Sequence, residues 1–222
     1  MKKFSKYFDH TLLKPDASSK DIAKLCNEAV KYDFAAVCVN GCRVSEAAGH
    51  LAQTGVKVAA VVGFPLGAGS SEAKLCEATR ALDDGASEID MVINIGTVKD
   101  GNFEYVKNEI ATLADLCHEY APDTILKVIL ETCLLTDEEI INSCHAAMEG
   151  HADFVKTSTG FGPGGATVSD VKLMKNTVGD RLKVKASGGI RTPEEARKFI
   201  NAGADRLGCS SSCEILNKLS KN

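Results

Sequence analysis

The chain alternates short runs rich in aliphatic and β-branched residues with longer amphipathic stretches, and this alternation constrains its fold more than any other feature. Strands separated by helix-sized segments favour parallel pairing, because a parallel connection needs a dozen or more residues. No linker interrupts the pattern, so residues 1–222 are predicted to form one α/β domain. The eight candidate strands are residues 7–13 (YFDHTLL), 34–40 (FAAVCVN), 57–64 (KVAAVVGF), 88–96 (EIDMVINIG), 125–131 (ILKVILE), 153–158 (DFVKTS), 182–187 (LKVKAS) and 205–210 (DRLGCS).

The segments between these runs carry the start signals of helices. Thr136 with Glu139 has the spacing of a capping box, and so does Thr192 with Glu195, where Pro193 suits the first helical position. Eight strand–helix units predict a closed eightfold (β/α) barrel, a TIM barrel. An open doubly wound sheet shows the same alternation, but it usually carries a Gly-x-Gly-x-x-Gly motif after its first strand, and none follows the first strand here.

The charge and the amino-terminal residues limit the possible partners. A net charge of −4 and the lack of a basic cluster argue against binding to nucleic acid or to anionic lipid. The start MKKFSKYFDHTLLKP is polar where a signal peptide needs an apolar core, and no run approaches the roughly 18 apolar residues of a membrane span. We expect a cytoplasmic protein whose partners are small molecules and copies of itself, as a homo-oligomer.

Cysteines and histidines are distributed in a way that argues against disulfides and metal. The nine cysteines are odd in number. Several, including Cys26, Cys76, Cys117 and Cys144, fall on apolar faces of predicted helices, which indicates reduced cysteines that pack in the core. The five histidines are scattered singly, without the spacing of ligand pairs. The sequence therefore predicts no metal site.

Lysines interrupt several of the apolar strands. Because side chains alternate between the two faces of a strand, Lys127, Lys156 and Lys185 point into the predicted barrel, as do Asp90 and Asn94 of the fourth strand. One such lysine could extend its ammonium group to water or form a structural ion pair. Four ionisable groups on neighbouring strands instead indicate a catalytic site, since crowding and burial lower the pKa of an amine. A neutral lysine is a nucleophile that can form a Schiff base.

Glycines and serines follow the last three strands. Glycines allow backbone N–H groups to approach an anion, and the start of a helix presents free N–H groups. In TIM barrels the loops after the seventh and eighth strands often bind phosphate. Any one of these segments could be a simple turn or a serine cap. Together they predict a phosphate pocket formed by Gly160, Gly188, Gly189, Ser210 and Ser211.

Five motifs, in sequence and in order, resemble the deoxyribose-phosphate aldolase family: DHTLLKPDAS, EIDMVINIG, LKVILET, FVKTSTGFGPGGAT and VKASGGIRT. The resemblance implies reversible cleavage of 2-deoxy-D-ribose 5-phosphate into D-glyceraldehyde 3-phosphate and acetaldehyde, in deoxynucleoside catabolism, without metal or organic cofactor. It implies that Lys156 is the Schiff-base lysine and that Lys185 and Asp90 are its partners in proton transfer. By position it assigns substrate-binding roles to Asp9, Thr11, Lys127 and Thr159.

Two departures from the family pattern bear on the site. Phe161 stands where some relatives carry a lysine, and the tail NKLSKN lacks the terminal tyrosine of some relatives, so a proton relay through the tail is not expected. Cys38 matches a site-facing position without an assigned role. A phosphosugar isomerase or synthase remains an alternative, because SGGIRTPEEA suits many phosphate-binding barrels, and so does a non-catalytic phosphosugar-binding protein.

Overall fold

Eight parallel strands close into a barrel in the computed structural model of the protein, which describes residues 3–219. Each strand pairs with the next along the chain, and the last pairs with the first. The predicted barrel is confirmed, while the extent of the domain over residues 1–222 stays a prediction. The strands are β1 (Phe8–Leu12), β2 (Ala36–Val39), β3 (Lys57–Val62), β4 (Glu88–Val92), β5 (Ile125–Ile129), β6 (Phe154–Lys156), β7 (Lys183–Ser187) and β8 (Arg206–Cys209).

Helices cover the outside of the barrel, and two of them begin at the predicted capping boxes. The Thr136 hydroxyl accepts a hydrogen bond from the Glu139 amide, Glu139 accepts one from the Thr136 amide, and Thr192 and Glu195 repeat the arrangement. No helix within residues 3–219 is both long and apolar enough to cross a membrane. The helices are α1 (Ser19–Tyr32), α2 (Val44–Leu51), α3 (Ser71–Asp83), α4 (Ile95–Lys99), α5 (Phe103–Tyr120), α6 (Asp137–Glu149), α7 (Val168–Val178), α8 (Pro193–Asn201) and α9 (Ser212–Leu219).

The strands are shorter than predicted at one or both ends, and β4 shows why. The predicted strand 88–96 ends at Val92, because Asn94 caps α4 by accepting a hydrogen bond from the Thr97 amide at 3.2 Å. An asparagine side chain competes for the backbone in this way where a chain leaves a sheet. The prediction that Asn94 shares the inner face of the strand with Asp90 is therefore wrong.

The nine cysteines are all free. Cys26, Cys117 and Cys144 are buried in the layer between barrel and helices, where they pack as predicted. Cys76 is exposed, so its predicted packing is wrong. The helix α3 turns a different face to the barrel, with Ala78, Ala81 and Leu82 among its buried residues.

The inside of the barrel is divided into an apolar half and a charged half. On the side of β1 to β3, buried Leu13, Cys38, Ala59 and Val61 form a small apolar cluster, which is separate from the main core between barrel and helices. From β4 to β8, and at Asp9 of β1, ionisable side chains fill the interior. The division places an apolar wall beside a polar site.

Candidate active site

Six charged side chains inside the barrel form a closed ring of alternating sign, called the charged ring below. Each nitrogen lies between 2.5 and 3.1 Å from an oxygen of the next member. The strands position these groups, since their side chains all point to the barrel axis from β1, β4, β5, β7 and β8. In order around the ring, the members are Glu88, Lys127, Asp90, Lys185, Asp9 and Arg206.

The charged ring keeps its lysines protonated. Burial lowers the pKa of Lys127, but the carboxylates of Asp90 and Glu88 outweigh it and raise the pKa above its ordinary value. Burial likewise lowers the pKa of Lys185, and Asp9 and Asp90 raise it well above the usual range. The expectation that crowding would lower the pKa of these lysines is wrong for both, because each lysine lies between two carboxylates.

Lys156 differs from the ring lysines because it contacts a single carboxylate. Its Nζ lies 2.7 Å from Asp90 Oδ2, and its side chain is 3% exposed. The ring already contains equal numbers of cations and anions, so a proton on Lys156 adds an uncompensated charge to a buried interior. Burial is the largest cause that lowers the pKa of Lys156, the charge of Lys185 adds to it, and Asp90 opposes it. The net lowering favours a neutral, nucleophilic amine.

Asp90 connects the ring to Lys156. Its Oδ1 accepts a hydrogen bond from Lys127 at 2.8 Å, and its Oδ2 accepts from both Lys156 and Lys185, at 2.7 and 2.8 Å. Burial raises the pKa of Asp90, but the three ammonium groups outweigh it and hold the pKa well below the usual range. One oxygen atom therefore joins the two amines that the sequence assigned to catalysis. Such a bridge offers a path for a proton between them.

Sequence reasoning missed two members of the charged ring, Glu88 and Arg206, and a glycine that packs against it. Glu88 precedes Asp90 by two residues on β4, so the alternation of side chains could have placed it on the inner face. Arg206 precedes Gly208 by two residues on β8, so the same alternation places both on the inner face of that strand. A Cβ at Gly208 would lie 2.8 Å from the Ser187 Cβ and 3.2 Å from the Lys185 Cε, so this glycine makes room for the Lys185 side chain.

A cavity of about 300 Å³ opens beside Lys156 at the carboxyl ends of β1, β6, β7 and β8. Thr11, Thr159, Gly160, Gly188, Gly189 and Ser210 line it, as do Lys14 and Arg191, two cations that the sequence analysis did not single out. Basic residues are common in loops, so neither position stood out in the sequence as a residue that binds a ligand. The predicted catalytic lysine and most of the predicted phosphate pocket thus share one cavity.

Backbone donors at the rim of this cavity lack protein partners. Among residues 3–219, no acceptor pairs with the amides of Gly160, Gly188, Gly189 or Ser210. The three glycines have φ values of 84°, 87° and 84°, which L side chains rarely adopt, so glycine is needed there to turn the backbone. Unpaired amides that line a cavity favour an anionic ligand.

Not every predicted binding residue lines the cavity. Ser211 lies outside its wall, and its amide donates a hydrogen bond to Cys209 Sγ at 3.2 Å. Asp9 and Lys127 belong to the charged ring rather than to the cavity wall, and their contact with substrate stays a prediction. Thr11 does line the cavity, and its hydroxyl donates to the Asp9 carbonyl at 2.8 Å.

The positions noted against the family pattern are Phe161, Cys38 and the tail, and the end of the tail lies outside the described residues. Phe161 lines the cavity, is 54% exposed and packs edge-on against Phe64 with ring centroids 5.3 Å apart. Cys38 is buried on the apolar side of the interior, and burial raises the pKa of its thiol. Residues 220–222, the end of the tail without a tyrosine, lie outside the described residues.

One group of metal-ligating residue types lies away from this site. His10 of β1, Glu28 of α1 and Cys213 of α9 place their ligand atoms within 4.8 Å of one another. The His10 Nε2 lies 3.0 Å from Glu28 Oε2, a distance that a hydrogen bond explains. The absence of a metal cofactor stays a prediction.

Comparison with known proteins identifies the family. A family model described as DeoC/LacD family aldolase matches residues 4–212. The chain belongs to this family. The deoxyribose-phosphate aldolases of Clostridium kluyveri and Thermococcus kodakarensis are relatives that are 56% and 55% identical over 217 residues, and the alignments cover 98% and 97% of this chain and 98% and 96% of the relatives. The resemblance of the five motifs is confirmed.

A solved structure supports the same assignment to the DeoC/LacD aldolases. The deoxyribose phosphate aldolase of Aeropyrum pernix, described as a unique tetrameric structure, superposes with a TM-score of 0.91 at 33% identity. The superposition covers 98% of this chain and 91% of that one. An aldolase fold therefore surrounds the cavity and the charged ring.

Proposed function

We propose that the protein is a class I aldolase that reversibly cleaves 2-deoxy-D-ribose 5-phosphate into D-glyceraldehyde 3-phosphate and acetaldehyde through a Schiff base on Lys156. The observation that carries this proposal is the position of Lys156. Its amine contacts the charged ring at Asp90, but the charges of the ring already balance, so a proton on the amine is not compensated, and the side chain lines the cavity. The family and the names of the relatives support this reaction.

The reaction begins at Lys156. The neutral Nζ attacks the C1 aldehyde of the open-chain sugar, and loss of water from the carbinolamine gives a protonated imine. The imine accepts the electron pair of the C2–C3 bond, so C1 and C2 remain on the lysine as an enamine. The 3-hydroxyl loses its proton and C3 leaves as the aldehyde carbon of glyceraldehyde 3-phosphate. Protonation of C2 and hydrolysis of the imine then release acetaldehyde.

Lys185 and Asp90 serve this cycle by their charge and position. The positive charge of Lys185 lowers the pKa of Lys156 and so favours the neutral amine that must attack. Asp90 Oδ2 contacts both amine nitrogens and can pass protons between them, directly or through water. Asp90 also stabilises the positive charge that the imine acquires on the nitrogen of Lys156.

The C5 phosphate of the substrate fits the rim of the cavity. The unpaired amides of Gly160, Gly188, Gly189 and Ser210 offer donors, and Lys14 and Arg191 offer positive charge. Binding the phosphate at a distance from Lys156 fixes the orientation of C1 toward the amine. Phe161 supplies no charge at its position, so the basic residues of the other loops carry more of the neutralisation.

The test is reduction with borohydride in the presence of acetaldehyde, followed by peptide mass spectrometry. The aldolase should acquire an N-ethyl group on Lys156, and Lys156→Arg should abolish the adduct. Lys183→Arg is the matched control, because Lys183 lies on β7 but is exposed, and its adduct should equal that of the native protein. A phosphosugar isomerase or a binding protein would not be trapped.

Two outcomes would contradict the proposal. Trapping at a lysine other than Lys156 would assign the nucleophile elsewhere, and loss of cleavage on chelation without trapping would point to a metal-dependent aldolase. The homo-oligomer and the cytoplasmic location stay predictions, the first to be measured by analytical ultracentrifugation and the second by cell fractionation.

A further inference from the structure

Glu131, just beyond the end of β5, is a buried carboxylate that the proposed chemistry does not use. Glu131 is 3% exposed, and it forms no ion pair with another residue of the described range 3–219. Its backbone has φ 58° and ψ 60°, a left-handed conformation that is uncommon for a residue with a side chain. A buried carboxyl group without a cation beside it and an unfavourable backbone both carry a cost in stability, and such costs cluster at functional sites.

Thr159 donates most of the hydrogen bonds to this carboxylate, and the Cys133 thiol adds a longer contact to Oε1 at 3.8 Å. The Thr159 amide donates to both oxygens, at 3.3 and 3.4 Å, and the Thr159 hydroxyl donates to Oε2. The same hydroxyl accepts a hydrogen bond from the Phe161 amide at 3.0 Å. Glu131 therefore holds Thr159 directly and Phe161 through the hydroxyl, which fixes the chain on both sides of Gly160.

Gly160 is the residue that this arrangement positions. It lines the cavity with φ 84°, and its amide has no acceptor within the described chain. With both neighbours held, the direction of this amide is set before a ligand arrives. Close packing continues beyond it, since a Cβ at Gly162 would lie 3.1 Å from the Glu131 Cδ.

We propose that Glu131 is a positioning residue for phosphate binding, which aims the Gly160 amide into the cavity by holding Thr159 and Phe161. The ligand class is a phosphate monoester, and the proposal rests on the function proposed above. Glu131 acts through the loop and does not touch the reacting atoms. Its loss should weaken phosphate binding and leave the amine of Lys156 unchanged.

The experiment compares Glu131→Gln with the native protein in two assays. Inhibition by inorganic phosphate and the KM for the phosphorylated sugar report on the rim, while borohydride trapping of acetaldehyde reports on Lys156 without any phosphate. Glutamine offers one acceptor oxygen for the two donors of Thr159, so the inhibition constant of phosphate and the KM should each rise about tenfold. The rate of trapping should stay within about twofold.

Matched variants separate positioning from general damage. Glu138→Gln changes an exposed glutamate at the start of α6 and should leave both assays unchanged. Thr159→Val removes the hydroxyl bridge while Glu131 stays, so it should weaken phosphate in the same way, whereas Thr159→Ser should restore it. The Thr159 pair also decides the question if Glu131→Gln does not fold.

The outcomes are distinct. The inference would be overturned if phosphate inhibition were unchanged in Glu131→Gln, or in Thr159→Val should the first variant not fold. It would also be overturned if phosphate inhibition and acetaldehyde trapping were lost equally. Failure of trapping in the native protein would instead contradict the proposed function, whatever the phosphate assay shows.

Discussion

The charged ring and the rim of the cavity lie in the same barrel but differ in whether their polar groups have partners within the protein. In the ring, each charge faces two groups of opposite sign. At the rim, the amides of Gly160, Gly188, Gly189 and Ser210 have no partner among residues 3–219. The ring is complete without a ligand, whereas the rim leaves hydrogen bonds for a ligand to make.

Lys156 lies at the boundary between these two regions, and the difference supports the chemistry proposed for it. It contacts the ring through Asp90 and also lines the cavity. The complete ring gives an additional proton no compensating charge, and the open rim gives the substrate a place beside the amine. Variants at the boundary, in the ring and at the rim should therefore fail in different assays.

The largest effect should come from the boundary. Lys156→Arg should reduce turnover on the order of 10⁴-fold or more, because a guanidinium stays protonated and cannot form an imine. Arginine also places a permanent charge where the ring does not balance one, so Lys156→Met should be inactive as well but better folded. Steady-state kinetics and circular dichroism measure both. Substantial residual turnover in either variant would assign the nucleophile elsewhere.

Lys185→Leu should reduce turnover about 10²–10⁴-fold at neutral pH and move the pH profile. The charge of Lys185 lowers the pKa of Lys156, so its removal raises that pKa. Because the neutral amine reacts, the rise of the rate with pH should shift to higher pH. The measurement is kcat/KM as a function of pH, and an unchanged profile in an active variant would show that the two lysines do not interact.

Arg206→Met should open the ring and destabilise the fold by about 3–5 kcal/mol, since buried Asp9 and Glu88 each lose one of their two cations and the ring keeps a net negative charge. Burial raises the pKa of Asp9, but Arg206 and the ring lysines outweigh it and depress the pKa. A depressed pKa stabilises the folded state above the unfolded value of about 3.9 and loses this effect as pH falls through the folded value. Without Arg206 the folded pKa rises, so acid unfolding should begin at higher pH.

Urea denaturation over a series of pH values measures the effect of Arg206→Met. Arg181 is exposed, and Arg181→Met should change the free energy of unfolding by less than about 0.5 kcal/mol. An acid transition that stays at the same pH in Arg206→Met would mean that Arg206 does not depress the pKa of Asp9.

The smallest effects should come from the rim and depend on the phosphate. Gly189→Val should raise the KM for the phosphorylated sugar about 10–100-fold, because φ 84° is unfavourable for a β-branched residue and the amide would turn away. Unphosphorylated deoxyribose should be affected far less. Ser210→Ala keeps its amide and should cost about twofold.

Gly179→Val is the control for backbone strain at Gly189. Gly179 follows α7 and has φ 56°, and a Cβ there would meet open space, as it would at Gly189, but Gly179 does not line the cavity. The substitution should leave the KM unchanged even if it lowers stability. Equal losses on phosphorylated and unphosphorylated sugar in Gly189→Val would contradict its role at the rim.

Local patterns in the sequence were sufficient for the fold and for the lysines of the site. Hydrophobic periodicity and capping boxes report on neighbouring residues, so they predicted the eight strand–helix units and the starts of α6 and α8. Alternation along a strand placed Asp90, Lys127, Lys156 and Lys185 on the inner face. The same local view failed at Asn94, where a cap ended the strand, and at Ser211, whose amide is taken by Cys209 Sγ.

The pKa of Lys156 was decided by tertiary structure. Lysines alone suggested mutual lowering, but closure of the barrel brings Arg206 against both Asp9 and Glu88, which are far from it in sequence. Only this closure completes the ring, raises the pKa of Lys127 and Lys185 and leaves Lys156 without a balancing charge. The sequence determined which residues face inward, because that depends on strand alternation. Which charge remains unbalanced depends on distances between strands, and only the folded barrel sets those.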